Sequence, residues 1–213
     1  MNSLYELRPE RPTLTEPVLV MAPEGWIDAG LGGAGAMAAL VARMETEVVA
    51  TFDSDVFLDL RARRPVAHIV DGVYRDLVWP DIELRVGKDQ AGRDVLLLVG
   101  PEPDNAWRAF SEAVAELAKL LEVRLLVGMG AFPAPVPHTR TAKLVATATT
   151  AELAAQVGVF KGSLNVPAGI ILALQRHLGD IGLPAIALWA REPHYAANLP
   201  YPEASVVLLE GLE

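Results

Sequence analysis

Apolar positions along the chain fall into short unbroken runs and longer helical stripes. Val18-Leu19-Val20-Met21 and Val95-Leu96-Leu97-Leu98-Val99 are unbroken runs. Such runs are expected of strands covered on both faces, and the second, being the more apolar, predicts a central strand. Trp107, Phe110, Val114, Leu117 and Leu121 recur at helical spacing, with Arg108, Glu112, Glu116 and Lys119 off the stripe. That pattern predicts an amphipathic helix with Trp107 and Phe110 in the core, capped by Asp104 or Asn105.

The same reading orders the rest of the chain. Residues 1–16 are a polar, proline-bearing surface lead-in. Pro17 to Ala39 reads as strand, polar loop and glycine-rich helix, with Asp28 as its cap. Glu47 to Phe52 is a second strand, and 53–64 a short helix or irregular turn. Val66–Val70 and Val73–Val78 flank Asp71-Gly72, a hairpin signal because a type I′ turn needs positive φ at both central positions. Ile82–Val86 and Val95–Val99 form another strand pair around GKDQAG. Strands follow at Arg124–Met129, Lys143–Thr149, Pro184–Trp189 and Ser205–Leu209. Helices are expected at Glu152–Val157 and Gly169–Leu178, the latter opened by Pro167 and stopped by Gly179 or Gly182.

Strands and helices alternate, which predicts an α/β sandwich with a mixed, largely parallel central sheet. In open α/β sheets, ligands bind outside the carboxyl ends of the strands. The loops there hold Trp26 and Asp28, Glu102 and Asn105, His138 and Arg140, and His194 and Tyr195. These eight residues are the candidate pocket.

The candidate chemistry is sparse. Gly30, Gly32 and Gly35 fit G-x-G-x-x-G, with Asp53 after the next strand. In a dinucleotide fold the first glycine follows its strand almost directly. Here Pro23 to Ala29 intervene, so close helix–sheet packing is the favoured reading. His138 or His194 could act as a general base oriented by Asp28 or Glu102. No nucleophile, phosphate-loop or H-E-x-x-H motif accompanies them, and backbone hydrogen bonding is their favoured role. His177 near a helix end suits the helix dipole. Arg140 could hold an anion. No catalytic residue, metal ligand or cofactor is assigned.

Composition narrows the classes. Of 213 residues, 52% are hydrophobic and 21% charged, so a sizeable core is expected rather than disorder. A net charge of −9 disfavours nucleic acid and anionic membranes. The chain has no cysteine, which excludes disulfides, thiol catalysis and thiolate metal sites. With no signal-peptide pattern and no long apolar run, a cytoplasmic protein is expected.

Several segments resemble the proteasome assembly chaperone 2 family in its bacterial form. They are GWIDAG (25–30), RPVAHIVDGVYRDLVWP (64–80), GPEPDNAWRAF (100–110), PHTR (137–140) and LPAIALWAREPHYAANLPYPEASVVLL (183–209). The resemblance implies one domain over residues 1–213. It also implies a three-layer α/β/α fold like that of purine nucleoside phosphorylases and a homo-oligomer, for instance a trimer. Chaperone relatives can end in a hydrophobic–tyrosine–any tail, whereas this sequence ends Gly211-Leu212-Glu213. The chain also stops soon after the last predicted strand, where many bacterial relatives continue into helical material. Two functional readings follow. One is a noncatalytic protein-binding homo-oligomer, chaperone-like or adaptor-like, with a protein client. The alternative is a small-molecule enzyme or binder for a nucleoside-like or phosphorylated metabolite at the strand carboxyl ends.

Overall fold

The computed structural model describes residues 4–10, 12–159 and 162–212. The chain forms strands β1 (Tyr5–Leu7), β2 (Val18–Met21), β3 (Glu47–Phe52), β4 (Val66–Val70), β5 (Val73–Val78), β6 (Glu83–Lys88), β7 (Asp94–Val99), β8 (Leu125–Ala134), β9 (Leu144–Ala148) and β10 (Ala185–Pro193). Its helices are α1 (Gly32–Arg43), α2 (Ser54–Phe57), α3 (Trp107–Leu120), α4 (Ala151–Ala155), α5 (Ile170–Asp180) and α6 (Pro202–Glu210).

Among the described residues, the main sheet runs β1-β3-β6-β7-β2-β8-β10-β9. Its centre, β7-β2-β8-β10, is parallel, and its flanks are antiparallel. One face packs on α3 and α5 around Phe57, Phe110, Leu96, Leu126 and Leu174. The other packs on α1 and α6 around Val20, Met37, Leu97, Val127 and Leu208. The result is the expected helix–sheet–helix layering. The central strands are apolar on both sides because helices lie on both faces, although Val18, Val95 and Leu125 at their amino-terminal ends are only partly buried.

The glycines of α1 serve close packing. A β-carbon on Gly32 would stand 2.8 Å from that of Ala204, and one on Gly33 would stand 2.9 Å from the Met129 carbonyl oxygen. β3, which ends before Asp53, lies among antiparallel neighbours rather than beside β2. That topology lacks the parallel neighbour a dinucleotide fold requires.

Four expectations are corrected. Ser205–Leu209 is helical, within α6: Pro202 occupies its first position, where the missing N–H costs nothing. Ser205 also donates a hydrogen bond to the Gly32 carbonyl at 2.9 Å. The lead-in contains a strand, since β1 pairs antiparallel with β3. Neither Asp104 nor Asn105 caps α3, because Ala106 is the cap residue, at φ 53°. Asp104 instead accepts from the Asp59 N–H and from Arg63. Finally, Pro167 precedes α5, whose cap residue is Gly169.

The Asp71-Gly72 turn has positive φ at both residues, 50° and 76°, as a type I′ hairpin requires. The arm it closes, β4–β5, forms a separate two-stranded sheet.

Candidate functional site

The candidate residues lie in three local arrangements at the carboxyl ends of the parallel strands. The first surrounds Glu102. Its Oε1 accepts the Ile170 N–H at 2.6 Å, at the start of α5, and its Oε2 accepts the Trp26 N–H at 3.4 Å. A carboxylate there satisfies an orphan amide and suits the positive end of the helix dipole. Gly25 and Gly169 make room for it: a β-carbon on Gly25 would stand 2.5 Å from Oε2, and one on Gly169 would stand 3.1 Å from Oε1. The Trp26 ring is exposed. Asn105 is anchored through its N–H to the Phe57 carbonyl at 3.1 Å.

The second arrangement joins the start of α1 to the segment before α6. Asp28 accepts from the N–H groups of Gly33 at 2.6 Å and Ala34 at 2.9 Å. Burial pushes its pKa above the usual carboxylate value despite those two donors. Next comes Gly30, at φ 58°. Its N–H donates to the Ala197 carbonyl at 3.1 Å, and its own carbonyl accepts from the Tyr201 N–H at 2.9 Å. Beneath this junction lies Glu192 of β10, which is 0% exposed. Both of its carboxylate oxygens are buried without a hydrogen-bond partner among the described residues. Burial, and then the charge of Asp28, push its pKa up to about 7. The Tyr201 hydroxyl donates to Glu203 at 2.9 Å, and Glu203 also accepts from the Ala142 N–H at 2.8 Å. Burial and the Glu203 hydrogen bond, with added charge effects from Glu203, Glu192 and Tyr195, push Tyr201 up to about 12.

The third arrangement is aromatic. The Tyr195 hydroxyl accepts the His138 N–H at 2.8 Å and lies 2.9 Å from His138 Nδ1. The ring of Tyr195 meets those of His138 and His194 edge-on, at centroid distances of 5.9 and 5.4 Å. His138 is thus partnered by a phenol, not by Asp28 or Glu102. Arg140 is exposed, and its N–H donates to the Pro137 carbonyl at 3.3 Å.

The chemical content is accordingly small. Asp28 and Glu102 are spent on helix starts. Among the described residues, no cluster of three or more His, Asp or Glu side chains is arranged to hold a metal ion. Beside Gly100, Pro101 and Ile170 the free volume is only about 10 Å³. A cavity of about 830 Å³ lies at the opposite ends of the strands, around Val18, Val95 and Leu125. Sequence reasoning missed Glu192. The available signal was a charged residue within the continuation of an apolar strand, Ala185 to Ala190.

The chain matches known proteins across nearly its whole length. The model of the PAC2 family matches residues 22–213, and the chain belongs to that family. A Corynebacterium glutamicum protein of unknown function is 30% identical, with a TM-score of 0.90. That match covers 98% of this chain and 80% of the other. A Mycobacterium tuberculosis proteasome-assembly chaperone homologue is 35% identical, with a TM-score of 0.85, covering 92% of this chain and 84% of the other. A Pyrococcus furiosus archaeal proteasome activator shares the fold at a TM-score of 0.74 and 16% identity, covering 98% of this chain and 86% of the other. No curated protein matches. Among the described residues, no helix is long and apolar enough to cross a membrane.

Proposed function

We propose that this protein is a noncatalytic, protein-binding homo-oligomer with a chaperone-like or adaptor role, built on one domain. The observation that carries this reading is the β4–β5 arm. Its strands pair with each other and with no other strand among the described residues. Val66, Ile69, Val73, Tyr74, Val78 and Trp79 on and beside it are exposed, Ile69 at 60% and Tyr74 at 58%. A lone two-stranded hairpin is marginally stable in water, and a contiguous exposed apolar patch marks an interaction surface. A second copy of the chain is the occupant: the arm has one basic and two acidic residues over 66–78, and its exposed apolar side chains form cross-strand pairs, Ile69 with Tyr74 and Val66 with Val78, which suits a contact of like patch on like patch. The similarity to a proteasome-assembly chaperone homologue supports a protein client.

Native mass spectrometry of protein isolated at endogenous abundance tests the reading. The expected result is a multiple of the 22.8 kDa chain together with a stoichiometric protein partner. A chain retaining only a small metabolite would contradict it and favour a binder acting at the strand carboxyl ends.

A further inference from the structure

The two faces of the sheet are covered unequally. On the α3–α5 face, Leu96 and Leu126 are fully buried. On the other face, α1 ends at Arg43 and α6 at Glu210, leaving the amino-terminal ends of the parallel strands open. A trough of about 830 Å³ lies there, between the last turns of these helices, α4 and the 88–94 turn. Val18, Val95 and Leu125 form one row of its floor, paired across β7, β2 and β8. All three are only partly buried. Val127 and Ile186 continue the floor into β10.

Parallel strands are normally covered on both faces, and by helices. Four adjacent strands span about 14 Å, the length of about nine helical residues. A helix of that length and about 10 Å diameter fills on the order of 1,100 Å³. The trough therefore takes most of its apolar side.

The rim selects the charge of the occupant. Lys88 pairs with Asp94, and Arg93 with Asp89, each at 2.6 Å. Arg43, Arg124 and Glu16 also line the trough, are exposed, and have no ion pair among the described residues. With Glu16 set against them, Arg43 and Arg124 leave the rim one net positive charge on a chain of net charge −9, so the two arginines beside an aliphatic floor favour an acidic amphiphile.

We infer that the trough binds an amphipathic helix of a partner protein, its apolar stripe on the sheet and its acidic residues against Arg43 and Arg124. The inference rests on the protein-binding reading and names the kind of segment bound.

The test uses a fluorescein-labelled synthetic helical peptide with a leucine stripe at i, i+3, i+4 and i+7 flanked by glutamates, and a twin flanked by lysines. Anisotropy is read on the wild-type protein and on the Arg43→Glu/Arg124→Glu double variant, whose fold is checked by circular dichroism. The acidic peptide should bind the wild type and lose about tenfold in affinity on the double variant, as expected for two rim charges. The basic twin should show the reverse preference. Equal binding of the twins, or indifference to the double variant, overturns the inference. So does saturable binding of laurate with no peptide binding, which would make the trough a lipid site. The mass of the same sample separates the two readings. An oligomer that ignores the acidic peptide overturns only the trough, and a monomer that binds it overturns only self-assembly.

Discussion

Gly30 lies directly over Glu192, so close that a β-carbon built on it would collide with both carboxylate oxygens and stand 2.6 Å from the carboxyl carbon. The same glycine has φ 58° and joins the start of α1 to Ala197 and Tyr201 by two backbone hydrogen bonds. One residue thus meets a conformational and a steric demand that only glycine satisfies.

Gly30→Ala should destabilise the protein by about 2–4 kcal/mol, combining the left-handed backbone cost with overpacking. Urea unfolding followed by circular dichroism measures this. A midpoint equal to that of the wild type would show that the junction yields freely.

Stability should depend on pH through Glu192. In the unfolded chain its carboxyl loses a proton near 4.5, and in the folded chain near 7. Between those values the folded state holds more protons, so stability falls as pH rises through that window and levels off above it. Asp28, whose pKa is also raised, adds to the fall in the same direction. Glu192→Gln keeps the shape and removes the ionisation. Its unfolding midpoint should exceed that of the wild type at pH 8 and change less between pH 5 and 8. An unchanged pH profile in the variant would mean that Glu192 does not titrate in this window.

Glu102 caps α5 through Ile170. Glu102→Ala should cost about 1–2 kcal/mol, in the range of a lost helix cap with a buried amide left unpaired. By contrast, Tyr195→Phe removes an exposed contact to His138 and should cost under about 1 kcal/mol. Thermal unfolding of the two variants should rank them in that order, and the reverse order would contradict the capping role.

Much of the fold was legible because its signals are local. The unbroken runs at β2 and β7, the stripe of α3 and the Asp71-Gly72 turn each carry their cause within a few residues. α6 was not legible. Val206-Val207 between alternating residues reads as a strand, and the local start signal of Pro202 together with the packing of Ala204 and Ser205 on Gly32 makes it a helix. β1 was hidden because a three-residue edge strand carries no periodicity of its own. At the candidate site, the sequence identified polar residues near the strand ends but not their partners. Asp28 and Glu102 proved to be committed to backbone amides, and the buried Glu192 is distinguished only by what surrounds it.

The central claim is self-assembly through the β4–β5 arm. Sedimentation equilibrium of the wild-type protein and of the Ile69→Asp/Tyr74→Asp double variant tests it directly. Both side chains are exposed, so the variant should keep its fold, as circular dichroism will show. The wild type should sediment as a multiple of 22.8 kDa and the variant as a single chain. A wild-type mass of one chain, or a variant that assembles as the wild type does, would contradict the account.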